Sequence, residues 1–335
     1  MPYQIWNRRY TGSKYKLSSW ISDLIYDNCV GDSFCDLFAG TAIMSQNMIN
    51  SFDEIYINDF LYSNEVIYKA FFEQSKYNSK KIEFLKKEFK KVPLSQIPAN
   101  YVSKNFGDKF FSPNDARRIG YIREQIECND DLNEKEKSIL LASLLYSLDK
   151  AANTVGHYDA YIKGKSIRDT FSFDLIEPYK FENKKIHISR LDANVLAKSI
   201  KCDVVYIDPP YNSRQYSRFY HVLENITKWE KPELFGIARK PKAENMSEYC
   251  RSTATKTFEE LIYSLNCKYI VVSYNNTYNS KSSSSKNKIA LEDIQEILEN
   301  KGNVSTFEKK HQYFNAGKTD LPNHKELVFV AKVGE

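Results

Sequence analysis

Residues 203–216 read DVVYIDPPYNSRQY. The apolar run from Val204 to Ile207 has the length and β-branched content of a buried strand. It ends in a carboxylate, Asp208, followed by two prolines and an aromatic ring, Tyr211. Proline fixes φ and donates no amide hydrogen, so Pro209 and Pro210 make a stiff corner. The Asp208 carboxylate and the Pro209 carbonyl are left there as acceptors. Such a corner offers two acceptors to one amino group, and the Tyr211 ring, expected to stand out in the open, offers a flat surface to a stacking base. A capped turn between strand and helix explains the same four letters less fully, because the flank NSRQYSRFYH adds Arg214, Tyr216, Arg218 and Tyr220.

Strand candidates of the same kind recur at 33–38, 55–58, 186–189, 268–274 and 326–332. Helical stretches at 13–29, 40–51, 219–229, 255–265 and 290–300 alternate with them. This alternation predicts an α/β sheet with mostly parallel strands. The segment 61–185 breaks the pattern and reads as helices at 61–91, 113–127 and 134–151. The expected organisation is therefore a sheet domain made of 1–60 and 186–335, with 61–185 as a mainly helical insertion. Within it, KYNSKKIEFLKKEFKK (76–91) predicts an amphipathic helix with Ile82, Phe84, Leu85 and Phe89 on one stripe. NNTYNSKSSSSKNK (275–288) is too polar to bury a core and reads as a basic surface loop.

Apolar residues at 42% and charged residues at 27% describe an ordinary globular chain and exclude bulk disorder. A net charge of +5 permits nucleic-acid binding without arguing for it. The six cysteines include no C-x-x-C pair and read as reduced thiols, and the five histidines are too dispersed to suggest a metal site. No apolar run approaches the roughly 20 residues of a membrane span, and MPYQIWNRRY does not resemble a signal peptide. A cytoplasmic protein without membrane association is expected.

A second constellation precedes the first. SFCDLFAGTAIMS (33–45) joins a strand to a small-residue turn and a helix start, with Gly40 allowing close backbone approach and the helix N-terminus offering amides. Asp59 ends the next strand candidate, at a spacing that suits a carboxylate accepting from ribose hydroxyls. Asp192 follows a third strand. Any one such acid is commonly a helix N-cap. Together with Asp36 and Asp208, they suggest a nucleoside cofactor along one rim of a sheet.

DPPY (208–211), FAG (38–40) and the N-terminal YTGSKYKL (10–17) together resemble the Dam-like, alpha-group adenine-N(6) DNA methyltransferases, and DPPYNSRQY and VVSYNN look like a subset attached to restriction–modification systems. The resemblance runs from Tyr10 to about Asn276. It implies a Rossmann-like, S-adenosylmethionine-dependent methyltransferase sheet with an inserted target-recognition region. Carried onto these residues, it implies that Lys14 and Tyr10 border the methionine carboxylate of S-adenosylmethionine, and that Asp36, Phe38 and Gly40 line the cofactor. Asp59 would take the ribose and Asp192 the adenine of the cofactor. Asp208, Pro209, Pro210 and Tyr211 would handle a target base flipped from double-stranded DNA. Ala42 stands where a second glycine is common.

The cytosine-C(5) reaction needs a Pro-Cys nucleophile that the sequence lacks. Amino-cytosine DNA methylation, RNA adenine methylation and a non-catalytic nucleic-acid binder on the same fold are the alternatives. The stretch 153–169, with His157, Tyr158, Tyr161, Lys163, Lys165 and Arg168, is expected to meet DNA, as is Arg214. Packing of His157 and Tyr158 into the insertion's own core is the competing expectation. A separately encoded restriction endonuclease is the implied protein partner.

Overall fold

The computed structural model describes residues 3–164, 166–276, 287–310 and 324–334. Their strands are β1 (Ser33–Asp36), β2 (Glu54–Asn58), β3 (Lys185–Ser189), β4 (Lys201–Ile207), β5 (Asn266–Asn275), β6 (Gly302–Lys310) and β7 (Lys325–Val333). Their α-helices are α1 (Ser18–Asn28), α2 (Ile43–Met48), α3 (Tyr62–Phe72), α4 (Ser79–Lys91), α5 (Tyr101–Phe106), α6 (Pro113–Glu127), α7 (Glu134–Ala151), α8 (Ala193–Ala197), α9 (Tyr216–Phe219), α10 (His221–Lys228), α11 (Ala254–Ser264) and α12 (Leu291–Glu299).

The chain forms two compact units. One holds Ser13–Phe60, Glu182–Tyr216 and Asn245–Glu335; the other holds Met1–Gly12, Leu61–Phe181 and Ser217–Glu244. All seven strands lie in the first and form one sheet in the order β3-β2-β1-β4-β5-β7-β6. Strands β1 to β5 pair in parallel, whereas β7 runs antiparallel to β5 and β6 antiparallel to β7. The strand order reverses between β1 and β4, which is where open α/β sheets leave a crevice beyond their carboxyl ends. Cys35, Leu37, Val205, Ile207, Ile270 and Val272 project on one face and pack with Leu196, Phe258, Leu261, Ile294 and Leu298 from α8, α11 and α12. Apolar runs bury both faces of β4 and β5, which is why those strands read so plainly in the sequence. Strand β6 was not expected: its GNVSTFEKK is mostly exposed and polar, as befits an edge.

The helical unit is built around α7. EKEKSILLASLLYSLDKA is buried on nearly every side, and a capping box between Asn133 and Glu136 starts it. The sequence reading confined this unit to 61–185; two further segments join it because each satisfies a helix end. Arg9 donates to the carbonyls of Asp149, Ala152 and Thr154 at the end of α7, and its own amide donates to Asp149 Oδ2. In the 217–244 segment, Glu224 accepts from the amides of Tyr62 and Ser63 at the start of α3. Arg123 in turn donates to the carbonyls of Ile226 and Thr227, which close α10. The expected helix over 61–91 is two helices, α3 and α4, with the second capped by Asn78. On α4 the apolar stripe is narrower than expected, since Ile82 and Phe89 are buried but Phe84 is exposed.

The acid that opens the quoted stretch works at the opposite end of its strand from Asp208. Asp203 accepts from the amides of Asp32 and Ser33 and from Ser33 Oγ, at 2.8, 3.1 and 3.0 Å, and pairs with Lys268 at 2.8 Å. Burial would raise its pKa, but these partners bring it to about 2. Its contribution to stability is therefore present above the ordinary carboxylate value of 3.8 and is lost on acidification through the folded value. Asp203→Ala is expected to lose about 1–3 kcal/mol at neutral pH, read as a lower urea midpoint with an unchanged slope.

Candidate active site

The carboxyl edge of the sheet gathers the acids expected there. Asp36 ends β1, Asp59 follows β2, Asp192 follows β3 and Asp208 follows β4. Their roles in the structure differ. Asp36 is 1% exposed, and its Oδ2 accepts from the Ser45 amide at 3.1 Å and hydroxyl at 2.7 Å, tying β1 to the first turn of α2. Burial pushes its carboxyl up to about 7, even though both Ser45 bonds favour the charged form. Asp59 Oδ2 accepts from the Gly40 amide at 2.9 Å. Asp192 is the N-cap of α8: its Oδ1 accepts from the amides of Asn194 and Val195, and the cap does not use Oδ2.

Between Asp36 and α2 the chain makes a narrow turn. Gly40 and Ala42 both lie in the left-handed region, with φ of 53° and 55°. Glycine accepts that conformation without cost, whereas Ala42 carries a Cβ penalty there, so the alanine preserves the turn at some strain. Ala39 donates its amide to the Asn58 carbonyl. The buried Asn58 side chain bonds the carbonyls of Leu37 and Leu191 and the amide of Leu191, fixing the loops after β1 and β3 together. Asn58 was not among the expected site residues; its only signal was the polar pair Asn-Asp closing an apolar strand. Phe38 is half-buried and sets its ring edge to face against Tyr249 at 5.1 Å.

The DPPY corner is closed rather than open. The Lys14 ammonium lies 2.8 Å from Asp208 Oδ1 and 3.3 Å from Glu326 Oε1, with only 6% of its side chain exposed. The Tyr211 hydroxyl hydrogen-bonds to Asp208 Oδ1 and to Lys14, and Lys14 also sits over the Tyr211 ring, 4.6 Å from its centre. The ring was expected to stand free; it is half-buried and packs edge to face on Tyr274 at 5.0 Å, because its hydroxyl finds partners inward. Pro209 is buried and Pro210 half-buried. Burial pushes the Asp208 carboxyl up to about 7 although Lys14 pulls it down, and Glu326 adds to the rise. Burial also disfavours the Lys14 charge, yet the two acids hold its pKa above the usual lysine value.

The remaining expected residues lie elsewhere. Tyr10 belongs to the helical unit, where it stacks on Tyr220 with ring centres 4.9 Å apart. Tyr158 does not reach a surface: it is fully buried, and its hydroxyl donates to Asp149 Oδ1 at 2.8 Å. Its expected role in contacting DNA is therefore withdrawn. His157 is half-buried and stacks on Phe219 at 4.5 Å. Lys163 and Arg168 are exposed on a loop whose ends are tied down by Asn153, through the Ile162 carbonyl, and by Asp115, through the amides of Thr170 and Phe171. Arg214 is half-buried in the sheet unit. Lys165 and residues 277–286 of the basic loop lie outside the described residues. No described helix is long and apolar enough to cross a membrane.

Residues 10–278 match the family described as D12 class N6 adenine-specific DNA methyltransferase. The chain is 31% identical to the type II methyltransferase M.NlaIII of Neisseria lactamica, across 94% of this chain and 95% of that one. It is 29% identical to the type II methyltransferase M.CviAII of Paramecium bursaria Chlorella virus 1, across 96% and 97%. Modification methylase StsI of Streptococcus sanguinis is 33% identical over 80% of this chain but only 44% of its own length.

Asp36 and Asp208 both bind a proton more readily folded than unfolded, so between the ordinary carboxylate pKa of 3.8 and about 7 the folded state holds more protons. Stability is thus expected to fall as pH rises through that window. Thermal melts of Asp208→Asn between pH 5 and 8 should show a shallower fall than the wild type.

Proposed function

Because the chain belongs to the D12 class N6 adenine-specific DNA methyltransferases, we propose that Asp208, Pro209 and Tyr211 form the corner where a flipped adenine presents its amino group, with S-adenosylmethionine as the methyl donor. The observation that carries this reading is the half-buried Asp208 carboxylate at the switch between β1 and β4, held above its usual pKa beside a buried lysine. The order of FAG at 38–40, a helical region and DPPY at 208–211 supports the Dam-like arrangement within the class.

The donor set suits the cofactor. Lys14 supplies a cation for its amino-acid carboxylate, Asp59 an acceptor for ribose hydroxyls, and Asp192 Oδ2 an acceptor for its adenine. Phe38 and the turn through Gly40 line the space between. When bound, S-adenosylmethionine supplies a methyl group activated by a sulfonium. The work of the protein is then to aim a poor nucleophile. An adenine amino lone pair is delocalised into its ring; Asp208 and the Pro209 carbonyl, accepting its two hydrogens, favour the pyramidal nitrogen whose lone pair is free to react. Asp208 then takes the proton that the nitrogen gives up, a role suited to a carboxyl with a pKa of about 7. Tyr211 stacks on the extruded base, which requires its ring to leave the contact with Asp208 and Lys14. Unstacking the base costs a few kcal/mol.

Lys163, Arg168, His157 and Arg214 are the side chains we assign to DNA, the first two to phosphates. The full-length likeness to two type II methyltransferases supports a place in a restriction–modification system, with a separately encoded endonuclease as the partner.

Incubation with labelled S-adenosylmethionine and a mixed duplex library, followed by mapping of modified bases, tests the assignment; the label is expected on N6 of adenine at one short sequence. Asp208→Ala should lower the methylation rate on the order of 10²–10³-fold while S-adenosylhomocysteine affinity, measured by calorimetry, stays close to wild type. Undiminished methylation in that variant would remove the corner from the mechanism. Asp59→Ala, which loses the ribose acceptor and the clamp on Gly40, should weaken S-adenosylhomocysteine binding by about tenfold or more.

A further inference from the structure

The DPPY corner contains a second carboxylate that the mechanism above does not use. Glu326 is the second residue of β7, opposite Asn275 of β5, and because β7 is antiparallel its start lies at the carboxyl edge of the parallel strands. The residue is 3% exposed on a strand whose alternate positions Val328 and Val330 are core. Its Oε1 accepts from Ser273 Oγ at 2.6 Å and stands 3.3 Å from Lys14 Nζ. A lone acid on an apolar strand face is costly unless something needs its charge. The only cation within ion-pair distance of it, among the described residues, is Lys14.

Lys14 cannot serve both of its assigned purposes from one place. In the structure its ammonium and the Tyr211 hydroxyl both bond Asp208 Oδ1, so one of the two oxygens of that carboxylate is taken while the contact lasts. To meet the carboxylate of a methyl donor Lys14 turns away from Asp208, and a buried ammonium that leaves one anion needs another beside it throughout. We propose that Glu326 is a positioning residue: it tethers Lys14 at the rim while Lys14 exchanges Asp208 for the carboxylate of the methyl donor, so that donor binding uncovers Asp208 and Tyr211 for the adenine. The inference rests on the active-site assignment above and adds an order to it, with cofactor first and base second.

The charged and titratable groups facing Asp208 are Lys14 ahead of α1, Asp36 at the end of β1, Tyr206 on β4, Tyr211 in the corner and Glu326 on β7. Glu326 is the nearer of the two acids in its effect, so neutralising it makes Asp208 easier to ionise.

Glu326→Gln keeps the shape and an acceptor for Ser273 but removes the charge. In the full-length protein it is expected to weaken S-adenosylhomocysteine binding by roughly five- to tenfold in calorimetry, the scale of one charge-assisted hydrogen bond. Affinity for 5′-methylthioadenosine, which lacks the amino-acid carboxylate, should stay unchanged. The acid limb of the single-turnover methylation rate should move to lower pH, which a merely structural role for Glu326 would not produce. If Glu326→Gln folds poorly, Ser273→Ala, which frees the tether but keeps both charges, should still weaken S-adenosylhomocysteine selectively over 5′-methylthioadenosine, with the acid limb in place. Equal losses for both ligands, or wild-type affinity with an unmoved limb, would overturn the proposal. Asp208→Ala run in parallel separates the two failures: methylation surviving in that variant refutes the active-site assignment, whereas its loss beside a wild-type-like Glu326→Gln refutes only the tether.

Discussion

One ammonium group lying between a buried and a half-buried carboxylate ties together the carboxyl edge of the sheet. Lys14 reaches Asp208 from before α1, and Glu326 meets it from β7, so three segments far apart in sequence converge on a single charge. The sheet topology makes this possible. Parallel strands deliver their carboxyl ends to one rim, and the antiparallel β7 delivers its beginning to the same place. A charged cluster in a desolvated setting stabilises a fold poorly, since removing ions from water costs more than their attraction returns unless every group is matched. Its persistence here, with one cation to two acids, is the pattern of a site kept for chemistry at the expense of stability.

Helix ends play the corresponding part in the other unit. Arg9 gathers the carbonyls that close α7, Arg123 those that close α10, and Glu224 the amides that open α3. Each is a buried or half-buried charge set against the partial charge of a helix terminus, and Arg123 also pairs with Glu127 at 2.7 Å. This is also why the division of the chain does not follow its sequence order: the described residues of 3–12 and 217–244 contribute no strand to the sheet, but each segment carries a polar side chain or a helix end that the bundle must satisfy.

Much of the sheet was legible because β1, β2, β4, β5 and β7 are apolar enough to announce burial, and because the acids just beyond β1, β2, β3 and β4 fall at one rim once the strands are parallel. Strand β6 was not legible, since an exposed edge of Asn, Ser, Thr, Glu and Lys carries no such mark. Glu326 escaped for a different reason: KELVFVAK reads as core, and nothing local reveals that its one acid faces a lysine more than three hundred residues earlier. Tyr211 and Tyr158 show the limit of reading aromatic residues from their polar neighbours. Each sits among charged or polar letters, yet each turns its hydroxyl inward to a carboxylate, the half-buried Asp208 in one case and the buried Asp149 in the other.

Asp36 and Asp208 make the final distinction. Burial drives both to a pKa of about 7, so titration alone would nominate both for proton transfer. Their partners separate them. Asp36 gives its oxygen to the amide and hydroxyl of one serine at the start of α2, bonds that are local and serve only to fix a helix against a strand. Asp208 is bound instead by a lysine and a tyrosine hydroxyl, both on side chains with rotatable bonds, so neither contact is fixed by the backbone. A carboxylate whose partners can be exchanged is one that a substrate can compete for, and in this sheet that property, more than the shifted pKa, singles out the acid of DPPY.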